Sequence, residues 1–191
     1  MKIFTNLYNY IINLANKKNV DKYLYVLSFI ESFIFPIPPD ILLAPLALTK
    51  KFNWVKLAFN TTCFSVAGGI VGYVLGTYLY EVELLNNILN EEMFFEAKNL
   101  FVEYGFIIIV IAGFSPLPYK AFTITAGYMS IAIIPFIISS LIGRGLRFFM
   151  VSAIFYYFGL DLANRIKKYF EYIGVVVTII LMLIIYYKYF I

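Results

Sequence analysis

The sequence predicts an all-α polytopic membrane protein: an inverted repeat of re-entrant hairpin plus transmembrane helix, with an extra C-terminal transmembrane helix. Three observations predict it. Of the 191 residues, 62% are hydrophobic and 20% aromatic, and the mean hydropathy is +0.85. A soluble domain of this size cannot bury that much apolar surface, so the solvent is a bilayer. Two apolar regions are broken near their middles by Pro-x-Pro, at Pro36-Ile37-Pro38 and Pro116-Leu117-Pro118. A shift of 80 residues superposes the two breaks and the long apolar helix that follows each, the pattern of an inverted repeat with a site at the repeat interface.

The elements follow in chain order. Residues 1–21 place Phe4, Leu7, Tyr8, Ile11, Leu14 and Ala15 on one stripe, opposite Asn6, Asn9, Asn13 and Lys17. That is an amphipathic interfacial helix, and its polar interruptions do not fit a cleavable signal peptide. A membrane domain over 22–160 then comprises a hairpin at about 23–48, a crossing helix at 54–80, an external acidic linker at 81–104 that reads as an interfacial helix or helix pair, a second hairpin at about 105–128 and a crossing helix at 130–158. Residues 161–191 add a basic loop and a last crossing helix at 173–190, ended by the aromatic and basic anchor Tyr186, Tyr187, Lys188 and Tyr189.

Hairpins are preferred to kinked crossings on charge. Proline inside a helix costs a hydrogen bond and a clash, near 3 kcal/mol, and the broken arms are too short to cross singly. With both broken regions returning to their own side, Lys2, Lys17, Lys18, Lys22, Lys50, Lys51, Lys56, Arg165, Lys167 and Lys168 share one face. The other holds only Lys98 and Lys188, with the acids Glu81, Glu83, Glu91, Glu92, Glu96 and Glu103. The positive-inside rule makes the basic face, with the N-terminus, cytoplasmic.

Five ionisable side chains fall inside apolar segments: Glu31, Asp40, Lys120, Arg144 and Arg147. Each unpaired charge at the bilayer centre costs about 2.5–3.5 kcal/mol, so they must pair, protonate or line a hydrated cavity. Asp40 follows Pro39 and opens a short helix, which suits an N-cap. Glu31 has no cap to make and could carry a proton. Lys120 sits at a helix start, where the dipole disfavours a cation, so it needs Asp40, Glu31 or a ligand phosphate. Arg144 and Arg147 lie on one helix face, either paired with the carboxylates or free for a ligand. The set sums to +1, which suits an anionic head group. Pro36, Pro38, Pro39, Pro116 and Pro118 shape the hairpin tips.

Gly68, Gly72 and Gly76 recur every four residues, which reads as close helix packing, with Gly69 and Ser65 extending the smooth face. Gly143 and Gly145 flank Arg144, where they could let a head group reach backbone. Histidine is absent and Cys63 is alone, so neither a general-base histidine nor a thiolate metal site is available, and no cofactor, metal or enzymatic activity is expected. The net charge of +4 lies beside apolar segments, which fits membrane orientation and not nucleic-acid binding.

The run Glu31-Ser-Phe-Ile-Phe-Pro-Ile-Pro-Pro-Asp40 with the glycine-rich helix resembles the DedA family of membrane proteins, also called the VTT-domain or SNARE-associated family. GFSPLPYKAFTITAGYMS, from Gly113 to Ser130, is similar to its second signature, and the wording is most like the YqaA-type branch. The resemblance covers about residues 22–160. It implies two re-entrant hairpins meeting at the midplane and transbilayer movement of phospholipid or polyprenyl phosphate. It also implies functional roles for Glu31 and Asp40. Gly113 and Tyr119 stand where better-studied members have arginines, with Lys120 adjacent, a departure that Arg144 and Arg147 could offset.

The expected function is movement of phosphate-containing lipid head groups between leaflets of a bacterial inner membrane. The substrate and proton-binding residues would be Glu31, Asp40, Lys120, Arg144 and Arg147, in a protein able to form homo-oligomers. Two alternatives stay open: a proton-coupled small-solute transporter, and a non-transporting membrane assembly protein in which Glu31 and Lys120 only neutralise one another.

Overall fold

The computed structural model describes residues 19–81 and 91–159. The segments 1–18, 82–90 and 160–191, with most of the expected amphipathic helix, part of the acidic linker, the basic loop and the helix at 173–190, lie outside the described residues. Six helices make up the described chain: α1 (Val20–Glu31), α2 (Asp40–Leu48), α3 (Trp54–Glu81), α4 (Glu91–Phe114), α5 (Tyr119–Tyr128) and α6 (residues 133–159).

The prolines set the breaks. After α1 the carbonyl of Ile30 accepts from the N–H groups of Phe33, Ile34 and Phe35, winding the chain into a terminal turn before Pro36. The chain restarts at Pro38 and Pro39, whose carbonyls accept from Ile41 and Leu42. A proline there forfeits only an N–H that a helix start leaves unsatisfied. The second break repeats the device: α4 ends at Phe114, and Pro118 precedes α5. Each short helix then ends on a left-handed residue, Lys50 or Ser130, whose N–H bonds the carbonyl of Ala47 or Gly127. Asn53 starts α3, its Oδ1 accepting from the N–H groups of Val55 and Lys56 at 2.9 and 3.2 Å, as an N-cap does.

Two helices are long and apolar enough to cross a bilayer, within Trp54–Leu79 and Ile133–Gly159, each about 40 Å at 1.5 Å per residue. Only 39% and 33% of their most apolar windows are buried inside the protein. Phe59, Val74 and Tyr78 on α3, and Ile134, Ile138, Leu141 and Leu146 on α6, face outward. A soluble core helix would bury those side chains; here lipid must solvate them. The protein is a helical membrane protein.

The long helices carry both halves of the core. Leu57 and Ala58 of α3 and Phe148 of α6 join Val20, Leu24, Leu43 and Leu46 in one cluster. Farther along, Ile70 and Tyr73 of α3 and Phe136 of α6 meet Ile109, Tyr119 and Ala126. Close approach depends on the glycines of α3: a Cβ at Gly68 would strike the Phe29 carbonyl, and one at Gly76 the carbonyl of Ile124. Thus α1 and α5 pack against α3 backbone to backbone.

Helix α4 runs without a break from Glu91 to Phe114, so the described part of the acidic stretch, 91–104, is helical and continues into the apolar segment before Pro116. One expectation on this fold is corrected. Gly143 does not open the backbone to a head group: the chain of α4 at Val110 fills the space a side chain would take.

Candidate functional site

Both breaks open onto one cavity of about 300 Å³, lined by residues of the two Pro-x-Pro turns and by all five of the ionisable residues named above. The backbone explains the convergence. Glu31 is the last residue of α1 and Asp40 the first of α2, so the first break projects a carboxylate from each side. Lys120 lies in the first turn of α5, and Arg144 and Arg147 lie one turn apart on α6.

The charges pair in a fixed order. Arg144 Nη2 donates to Glu31 Oε2 at 2.6 Å and its Nε donates to Ser65 Oγ at 2.6 Å. Ser65 in turn shares a hydrogen bond with Ser32 at 2.8 Å. The guanidinium lies 4.8 Å from the Tyr119 ring centre and 4.6 Å from that of Phe148. Its side chain is 3% exposed. Two short hydrogen bonds and two aromatic rings within 5 Å hold it in place.

Arg147 is less enclosed, at 18% exposed. Its Nε donates to Asp40 Oδ2 at 3.0 Å and its Nη2 donates to the same oxygen. Nη1 donates to the Ser115 carbonyl at 2.5 Å, a carbonyl that the end of α4 leaves without a helical partner. One guanidinium therefore ties the start of α2 to the end of α4, and so joins the two breaks. Its fork suits that bridging as a lysine point charge would not.

Asp40 is not an N-cap. Pro39 holds the cap position, and no side-chain cap bond is made, because the carboxylate turns to Arg147. Its Oδ1 is buried and lacks a hydrogen-bond partner among the described residues. Lys120 takes neither carboxylate that sequence reasoning offered it. Its Nζ donates to the Ile34 carbonyl at 3.1 Å, and among the described residues it makes no ion pair. The two arginines have taken the two acids, leaving the cavity one positive charge in surplus.

Ser65 and Tyr119 were missed as neighbours of the charged set. Ser65 shares a helix face with Gly68 and Gly72, a signal that it points inward, though not that it meets an arginine. Tyr119 precedes Lys120 and is wholly buried.

Fold and site together define a helical membrane protein with a charged cavity between two proline-broken helical segments. The VTT domain model matches residues 37–157, and the chain belongs to that family, also called DedA. It is 36% identical over 178 residues to an uncharacterised protein of Haemophilus influenzae, covering 91% of this chain and 92% of that one. An uncharacterised homologue from Histophilus somni is 35% identical over 182 residues, covering 94% and 95%. No solved structure matches significantly.

Proposed function

We propose that this protein moves a phosphate-bearing lipid head group, of a phospholipid or a polyprenyl phosphate, between the leaflets of the bacterial inner membrane. The observation that carries the reading is the cavity, whose two acids are ion-paired while the Lys120 ammonium has no carboxylate partner among the described residues. A surplus cation among apolar helices is costly, and a ligand phosphate relieves that cost. In this reading each broken region is a re-entrant hairpin, and the two tips meet at the midplane. The left-handed ends at Lys50 and Ser130, 80 residues apart, support the repeat. The N-terminus is cytoplasmic. A proton taken up by Glu31 or Asp40 drives or resets the cycle.

The test is purified protein in liposomes that carry head-group-labelled lipids, with a membrane-impermeant quencher outside. Loss of inner-leaflet signal beyond that of empty liposomes is the expected result. If no phospholipid and no polyprenyl phosphate moves while the protein is folded, the reading fails. An arginine partner for each acid favours one second reading: an assembly protein in which Glu31–Arg144 and Asp40–Arg147 only hold the segments together. It predicts no transport.

A further inference from the structure

Whichever lipid carries it, the head group must satisfy the charge of the cavity, and that charge can be counted. Resting on the reading above, we propose that the cavity accepts a singly charged phosphodiester in preference to a doubly charged phosphomonoester, and that Lys120 and Arg147 hold it while Arg144 does not.

The division between the arginines follows from their surroundings. Arg144 is packed between two rings, bonded to Ser65 and Glu31, and 3% exposed. Releasing it would break two short hydrogen bonds and leave a partly buried carboxylate unpaired. Arg147 is the more open, and its carboxylate partner is incompletely used. Two of its three donating nitrogens, Nε and Nη2, fall on Asp40 Oδ2, while Oδ1 has no partner among the described residues. A buried acceptor left unmade weakens the hold of that pair, so a phosphate oxygen can share Arg147. Lys120 lines the same cavity, and among the described residues its side chain makes a single hydrogen bond, to the Ile34 carbonyl.

Helix dipoles do not change the count. The ends of α1 and α4 and the starts of α2 and α5 all meet near the two breaks, so two positive and two negative helix ends roughly cancel. Formal charge then decides. Glu31 and Arg144 neutralise one another, and Asp40, Arg147 and Lys120 leave one positive charge. A phosphodiester, with one negative charge, brings the site to neutrality. A phosphomonoester that has lost its second proton leaves an unpaired negative charge in a site walled by apolar helices. Removing the Asp40 charge makes the surplus two, which fits the dianion.

The experiment uses full-length protein in phosphatidylcholine vesicles at pH 8. These carry either tail-labelled phosphatidylglycerol, a diester, or phosphatidic acid with the same tails, a monoester. The wild type should move the diester roughly tenfold faster. Asp40→Asn should raise the monoester-to-diester rate ratio by at least roughly tenfold, a gain that misfolding cannot produce. Lys120→Met should slow the diester without raising that ratio. If the wild type moves both lipids equally, or Asp40→Asn leaves the ratio unchanged, the charge assignment is overturned and lipid translocation stands. If the wild type moves neither, both readings fall.

Discussion

Arg144 reaches from α6 to Glu31 at the end of α1, a 2.6 Å ion pair spanning 113 residues of sequence. Its nearly complete enclosure makes the pair a fixture of the fold. A buried pair broken on one side leaves a charge with nothing to answer it, and costs about 3–5 kcal/mol. Glu31→Gln and Arg144→Met should each destabilise by that order. The double variant Glu31→Met/Arg144→Met should regain most of the loss, because apolar replacements of similar volume remove both desolvation penalties. Denaturant unfolding in detergent measures it. Lys120→Met offers no such rescue of Glu31→Gln, since Lys120 is not the partner of Glu31.

The glycine face of α3 gives a second expectation. Gly68→Ala and Gly76→Ala place a methyl group against the carbonyls of Phe29 and Ile124, which can yield only by moving a helix. Each should cost about 1–3 kcal/mol as overpacking. Gly145→Ala meets nothing closer than the Thr62 methyl at 3.7 Å. It should be neutral or stabilise by about 0.5–1 kcal/mol through helix propensity. Melting midpoints of the three variants decide the matter.

For Arg147 the chemistry of the side chain matters more than its charge. Arg147→Lys keeps one positive charge but cannot serve Asp40 and the Ser115 carbonyl together. We expect it to lose more than half of the destabilisation-free margin that separates wild type from Arg147→Ala, and to transport at an intermediate rate. A lysine variant as stable and active as wild type would show that the fork is not used.

How far the sequence led can be judged at particular residues. The Pro-x-Pro breaks, the two long apolar helices and the five embedded charges were legible because hydropathy and proline chemistry are local properties. Pairing was not. Glu31 and Asp40 could equally have met Lys120, and only the rotation of α6 about its axis turns Arg144 and Arg147 toward them. The role of Ser65 depends on the same rotation. Asp40 looked like a cap since local spacing carries no trace of a partner 107 residues away.

Lys120 tests the central claim most directly, because its side chain's only hydrogen bond among the described residues is one to a backbone carbonyl, so loss of that side chain should cost stability no more than about 1 kcal/mol. The measurement is the rate at which inner-leaflet labelled phospholipid becomes quenchable in liposomes holding wild type or Lys120→Met, with unfolding of both proteins followed in parallel. The account predicts stability within that margin and a rate at least roughly tenfold lower. An equally stable Lys120→Met that moves lipid at the wild-type rate would contradict it.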